Sequence, residues 1–392
     1  MPETHSHPVP AAADVYRHAA EQTMRAAALL WPGDPVRPGT HVPSVTGCVQ
    51  QIRVGDRDLY AKVSYLGVSL ASVLRGTCGD WQTVRAAQAA YITSPDALLK
   101  REAAQLGMLH HHSALCVAQA EGIAAGVLFT RPVAGPTLAD LVLKEPHRAA
   151  DLMTKAVRAV DEALNQPPVT VRIARMAIRE RSIDATFTRK FNGLSGRVYL
   201  DLAGETAAVL AAVVARLRRA HFAVPNGALA SVVTYGDLKP EHIIFPSGAD
   251  GQPAFIDPGL ARGRAATDEA KLISRMVLGL LTSPPGEDSV RATVAGLDAF
   301  VQARTGDWKK DARAGWLRQL VVLWLMDSVN ILTTYLTAPT RLPLPEHGLR
   351  IAARSQAVGT VLDRVSAVLE AGTEPHTVWR LALAAVVEEA TR

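Results

Sequence analysis

Two short stretches hold the residue types that could do chemistry. Thr234-Tyr-Gly-Asp-Leu-Lys-Pro-Glu-His-Ile-Ile-Phe245 carries Asp237 in a loop, His242 five residues on, and then the apolar run Ile243-Ile-Phe245. Ala254-Phe-Ile-Asp-Pro-Gly259 is a second apolar run that ends in Asp257. Phosphoryl transfer needs one carboxylate that orients the attacking hydroxyl and takes its proton, and other ligands that hold a divalent cation on the triphosphate. Asp237 suits the first part; His242 and Asp257 suit the second. Twenty residues separate the two aspartates, with the turn formers Ser247-Gly-Ala-Asp-Gly251 between them. A hairpin would bring both loops to one end.

Something must position a triphosphate against those loops, and the N-terminal third has the texture for it. Residues 1–12 read as a loose tail, and 13–30 as a helix cut at Pro32-Gly33-Asp34-Pro35. Val49-Gln-Gln-Ile-Arg-Val54, the turn Gly55-Asp56 and Leu59-Tyr-Ala-Lys-Val-Ser64 alternate in period two and read as a β-hairpin. Residues 65–93 mix glycines with helix formers and give no clear element. Ser94-Pro95-Asp96 is a helix-start signal for a helix over 97–109. Gly126-Val-Leu-Phe-Thr130 reads as a short strand. A break at 132–136 follows, and Thr137-Leu-Ala-Asp140 has a helix-capping pattern. The rest is mostly helical, except that strand-like runs return over 228–262. The expected architecture is α+β and bilobal: an N-lobe over 13–131, a hinge at 132–136 and a larger, mostly helical C-lobe over 137–392.

Tyr235-Gly-Asp-Leu-Lys-Pro-Glu-His242 resembles the catalytic loop of aminoglycoside phosphotransferases and choline kinases, written H-G-D-x-x-x-x-N, which are relatives of the protein kinases with H-R-D-L-x-x-x-N. Ile256-Asp-Pro-Gly259 resembles their metal-binding D-F-G, and Thr267-Asp-Glu-Ala-Lys-Leu272 the helix start beyond it. The resemblance implies a protein-kinase-like fold with a small β-rich N-lobe bearing one main helix. It implies an ATP-dependent phosphotransferase using ATP and Mg²⁺, with Mn²⁺ as the variant cation. Asp237 becomes the catalytic base, Lys239 a contact to the transferred phosphate, and His242 and Asp257 the metal ligands. Lys62 sits where the family's third-strand lysine sits, to pair the α and β phosphates, with Glu102 as its partner. Phe129, Thr130 and Arg131 lie in Leu128-Phe-Thr-Arg-Pro132, the stretch that leads into the hinge and whose backbone would face adenine.

Three departures shape the reading, beside a loop poor in glycine. Tyr235 replaces His, and an aromatic hydroxyl can support the loop's backbone. Pro258 replaces Phe, which stiffens the metal loop. His242 replaces Asn; Mg²⁺ prefers oxygen ligands and imidazole suits softer ions, so the alternative is a packed histidine with Asp257 and waters holding the cation. A glycine-rich loop is absent, Gly47 standing alone in Ser44-Val-Thr-Gly-Cys-Val49. Each remaining residue also has a plain alternative: turn formers at Asp237 and Asp257, solvated charges at Lys62, Glu102 and Lys239.

The resemblance implies a hydroxyl acceptor, either of a natural-product small molecule or of Ser or Thr in a ribosomally made peptide. True aminoglycosides are polycations whose enzymes need acidic clefts. Arg172, Arg175 and Arg179 are spaced as one helix face, followed by Arg181, Arg189, Lys190 and Arg197. This basic 172–197 segment is a solvated face or a dock for an acidic partner. The competing function is a pseudokinase scaffold; a protein kinase proper is disfavoured by the short segment after Asp257-Pro-Gly259.

Composition excludes other classes. The chain has 392 residues, 48% hydrophobic and 20% charged, enough for two lobes. A formal charge of +5 with no zinc-finger or RNA-binding motif argues against nucleic acid. Cys48, Cys78 and Cys116 are odd in number and far apart, which points to a reducing cytoplasm without disulfides. No signal-peptide pattern opens the chain. Leu320-Val-Val-Leu-Trp-Leu-Met326 stops at Asp327 and reads as a buried helix, not a membrane span. His110, His111 and His112 point in different directions around a helix end and form no shared metal site.

Overall fold

The computed structural model describes residues 9–176, 178–222 and 232–392. The expected strand texture over 228–231 and the first eight residues of the expected tail lie outside them. The chain divides into two compact units. One comprises the described residues through His112, Val117–Val133 and Ala338–Pro345; the other comprises Ser113–Cys116, the described part of Ala134–Thr337, and Glu346–Arg392. A single boundary at 132–136 therefore does not describe them, because Ala338–Pro345 joins the first unit and Leu342 is buried in its core.

The first unit opens with α1 (Ala12–Leu30), then β1 (Val36–Val42), β2 (Cys48–Val54) and β3 (Arg57–Val63). α2 (Leu70–Leu74), α3 (Trp81–Tyr91) and α4 (Leu98–His112) follow; the two residues of β4 (Cys116–Val117) fall one in each unit, and β5 (Ala120–Ala124) and β6 (Val127–Thr130) belong to the first. Five strands form one antiparallel sheet in the order β1-β2-β3-β6-β5. The β2–β3 hairpin closes at Val54↔Arg57, with Gly55 at φ +61°. Alternation decides what each face does. Leu59, Ala61 and Val63 enter the core with Ile52, Val54, Phe129 and the α1 residues Val15, Ala19 and Ala26, while Lys62 looks to the other face. α4 begins at Leu98, not 97, and runs on through His112, so the three histidines form its last turn. The unit holds more helix than the one main helix expected: Ser69 caps α2 and Asp80 caps α3 within the stretch that gave no clear element.

The second unit begins with α5 (Leu138–Lys144), whose Thr137–Asp140 capping box is formed as its sequence signals. α6 (Ala149–Leu164), α7 (Pro167–Arg175), α8 (Ile183–Lys190), α9 (Gly193–Asp201) and α10 (Ala207–Phe222) follow. Short strands then frame the loops: β7 (Val232–Thr234), β8 (Ile243–Ile244), β9 (Ala254–Phe255) and β10 (Ala261–Gly263). α11 (Thr267–Thr282), α12 (Glu287–Thr305), α13 (Lys310–Leu336), α14 (Glu346–Ala353), α15 (Ser355–Glu370) and α16 (Pro375–Ala390) complete it. α13 is long and apolar enough to cross a membrane by length and composition alone. It is packed within the unit, and Leu320–Met326 are all buried. Asp327 is buried there because Arg275 of α11 pairs with it at 3.1 Å.

The basic 172–197 segment is not one helix face. α7 ends at Arg175 because Met176 turns extended (φ −84°, ψ 144°), so Arg179 lies beyond the helix. Lys190 is buried, donating to the Asn330 carbonyl and the Thr334 hydroxyl at 2.7 Å each. It is an internal tie to α13, not a docking residue.

Candidate active site

The loop that follows β7 is held from three directions. β7 pairs with β10 through Thr234↔Ala261, which ties the start of the first loop to the end of the second. β8 pairs with β9 through Ile243↔Phe255, and the Ile256 amide donates to the His242 carbonyl at 3.0 Å. The hairpin foreseen between Asp237 and Asp257 is thus formed, with its short strands buried among apolar residues. The third grip comes from α11: Asp268 Oδ2 accepts from the Tyr235 amide at 2.7 Å, and Oδ1 from the Gly236 amide at 2.8 Å. Tyr235 is fully buried; its hydroxyl donates to the Ile256 carbonyl at 2.9 Å. It links the loop of Asp237 to the loop of Asp257, the backbone support expected of an aromatic hydroxyl at this position.

Asp237 has both carboxylate oxygens occupied. Lys271 Nζ lies 3.0 Å from Oδ1, Lys239 Nζ 2.7 Å from Oδ2, and His242 Nδ1 3.5 Å from Oδ2. Burial would raise the Asp237 carboxyl, but the charges of Lys239, Lys271 and His242 outweigh it and hold it well below the usual carboxylate range. The side chain keeps 29% of its exposure, so it is open to solvent.

His242 Nε2 faces Asp257 Oδ2 at 3.9 Å, and its buried Nδ1 makes no hydrogen bond. Burial and Lys239 push the imidazole below its usual range against the pull of Asp237 and Asp257, which favours the neutral ring with a free lone pair. Asp257 has φ +53°, a conformation that costs a non-glycine residue energy and clusters at functional sites. Among the described residues no three His, Cys, Asp or Glu side chains converge as a ready-made metal cage.

Within the first unit, Lys62 Nζ and Glu102 Oε1 are 2.6 Å apart, with 13% and 14% of their side chains exposed. Glu102 shares a face of α4 with the buried Leu99, Leu106 and Leu109, which explains why it is not a solvated helix carboxylate. The structure corrects the hinge. Phe129 and Thr130 are buried in β6, an inner strand paired to β3 and β5, so their main-chain groups serve the sheet. Arg131 donates its amide to the Gln119 carbonyl at 2.9 Å and pairs its guanidinium with Glu121.

Asp268 and Lys271 were not singled out in the sequence. The signal was a three-residue spacing at a helix start, which places both on one face of α11.

No family model matches the chain, and no curated protein sequence matches it. Solved structures do. Amicoumacin kinase hAmiN, described in complex with AMP-PNP, Ca²⁺ and Ami, is 14% identical over 92% of this chain and 96% of its own, with a TM-score of 0.50. An ethanolamine kinase of Plasmodium vivax is 11% identical over 84% and 83%, at 0.47. Choline kinase LicA of Streptococcus pneumoniae is 12% identical over 87% and 99%, at 0.46. At these identities the likeness is one of fold alone, and the amicoumacin kinase carries it: the chain has an α+β, kinase-like fold with a small antiparallel sheet and a larger helical part.

Proposed function

We propose that this chain is an ATP-dependent O-phosphotransferase in which Asp237 is the catalytic base. The observation that carries the reading is the Asp237 carboxylate: held ionised, flanked by Lys239 and His242, on a loop whose amides Asp268 clamps.

The acceptor hydroxyl donates to an oxygen of Asp237. As its oxygen bonds to the γ-phosphorus, the proton passes to the carboxylate and the bond from phosphorus to the β–γ bridging oxygen breaks, releasing ADP. Lys239, already 2.7 Å from Oδ2, is placed to turn its ammonium to the charge on the transferred phosphoryl group. Lys62, anchored by Glu102, is the candidate holder of the α and β phosphates. With β6 committed to the sheet, the adenine contacts pass to main-chain groups beyond Thr130.

A divalent cation fits Asp257 and His242. The carboxylate is a hard oxygen donor and the imidazole Nε2, 3.9 Å from it, a softer one, a pair that serves Mn²⁺ as well as Mg²⁺. Bound cation would neutralise triphosphate charge. The solved structure of the same fold described with AMP-PNP and Ca²⁺ supports a nucleotide with a divalent ion. Its small ligand favours a small-molecule hydroxyl over a peptide Ser or Thr as acceptor. The broken basic segment removes the support for a protein partner at 172–197. Buried α13 and the three free cysteines support a cytoplasmic enzyme.

The test is thermal-shift titration with Mg·ATP and Mn·ATP, beside transfer of labelled γ-phosphate to hydroxyl acceptors. Asp237→Asn is expected to keep the metal-dependent ATP stabilisation and lose about 10³-fold in turnover. Lys62→Met is expected to weaken the stabilisation itself. A wild-type protein that shows no metal-dependent ATP stabilisation is a scaffold, and the proposal fails.

A further inference from the structure

Gln88 of α3 is 1% exposed, and a buried amide needs partners. It has two. Its Oε1 accepts from the Leu66 amide at 2.8 Å, and its Nε2 donates to the Ser64 carbonyl at 2.8 Å. β3 ends at Val63, so this side chain satisfies the backbone of the residues that leave the strand. Those residues turn sharply: Leu66 has φ +53° and Gly67 φ +65°. Among the described residues, Leu66, Ala125 and Asp257 are the non-glycine residues with positive φ. Ala125 stands in the β5–β6 hairpin turn, and Asp257 in the candidate metal loop. Leu66 stands just beyond the strand that carries Lys62. Such a conformation persists only where its surroundings over-determine it.

Tyr91 lies on the same face of α3, one helical turn after Gln88. Gly67 packs against it; a Cβ built there would lie 2.7 Å from the Tyr91 hydroxyl oxygen. The same oxygen accepts from the amide of Leu98, the first residue of α4, at 2.6 Å. Helix starts leave such amides without partners inside the helix. Glu102 follows one turn later on the same face. A closed ring results, from Lys62 through the Leu66 turn, α3 and the start of α4 to Glu102, and back to Lys62 at 2.6 Å. A leucine would fill much of the space of Gln88, but it would leave the exit of β3 untied.

Resting on the phosphotransferase reading above, we propose that Gln88 and Tyr91 are positioning residues: α3 braces the exit of β3 against the start of α4 and so sets the Lys62 ammonium for the α and β phosphates of ATP. Both act through Lys62 and Glu102.

The experiment titrates the full chain with Mg·ATP by calorimetry and thermal shift. Gln88→Leu is expected to weaken binding by about tenfold, and Tyr91→Phe, which keeps the ring, by about threefold. In a Lys62→Met background either substitution is expected to change binding by less than about twofold, because the group it positions is gone. Val15→Ala, which empties a buried position of α1 in the same unit, is expected to lower the unliganded melting temperature and yet bind Mg·ATP as wild type does. A merely structural role would weaken binding in the Lys62→Met background as well, and in Val15→Ala. Either result overturns the proposal, as does undiminished binding by both Gln88→Leu and Tyr91→Phe. A wild type that does not bind Mg·ATP sinks the phosphotransferase reading and this proposal with it; a wild type that binds while the cycle fails sinks this proposal alone.

Discussion

Gly236→Ala is the sharpest test of the loop geometry. Gly236 has φ +82°, and a Cβ built there would lie 1.9 Å from the carbonyl oxygen of Gly259. Real Cβ contacts essentially never fall below 3.0 Å, so more than 1 Å of movement is forced, and the obstacle is backbone, not a flexible side chain. The left-handed conformation costs an alanine about 1–2 kcal/mol. Retreat of Gly259 also strains the hydrogen bond its N–H donates to the Tyr235 carbonyl, now 3.1 Å, worth about 1 kcal/mol. The expected loss is roughly 2–3 kcal/mol, read by urea denaturation. Activity suffers more, because the movement separates the loops bearing Asp237 and Asp257, and misplacement by about 1 Å costs on the order of 10²-fold in turnover. Gly55→Ala is the control: it also has positive φ (+61°), but its Cβ meets Asp34 at an ordinary 3.6 Å. It should cost about 1 kcal/mol and leave turnover intact. A Gly236→Ala protein with wild-type turnover would refute the claim that the two loops are locked through this contact.

What the sequence made legible was local. The β2–β3 hairpin shows its alternation and its turn, and Thr137-Leu-Ala-Asp140 shows its cap, because each signal lies within a few residues of its effect. β1 was not read, because Pro38 and Gly39 break its pattern; as an edge strand with an irregular register it tolerates both. α7 stops at Arg175 although the arginine spacing runs on to 179, since spacing alone does not stop a helix from turning extended. In the site, Asp237, His242 and Asp257 stand in motifs and could be found. Asp268 and Lys271 also lie in a quoted stretch, Thr267–Leu272, but their roles were not legible there, because they depend on α11 lying against a loop more than thirty residues earlier in the chain.

Three further substitutions probe separate parts of this arrangement. Tyr235→Phe removes the hydroxyl that donates to the Ile256 carbonyl; it should cost about 1 kcal/mol in urea denaturation and lower turnover, and a silent substitution would show that this bond does not position Asp257. Burial drives the Glu269 carboxyl up to about 7, against the pull of Arg304 and with a push from Asp268 and Asp161. The folded state then holds this proton more tightly than the unfolded chain, so stability present below about pH 4.5 is lost as pH rises through about 7, by roughly 3 kcal/mol. Glu269→Gln should therefore flatten the fall in urea midpoint between pH 5 and 8, and parallel profiles would reject that account. Asp257→Gly separates the two roles that residue could have. Glycine adopts φ +53° without strain, so the variant should be as stable as wild type or more stable by about 1 kcal/mol. Without the carboxylate, metal-dependent ATP stabilisation should disappear. If Asp257 were only a turn former ahead of Pro258, glycine would serve as well and the stabilisation would persist; that outcome would remove Asp257 from the cation site and leave the strain at this position without a functional cause.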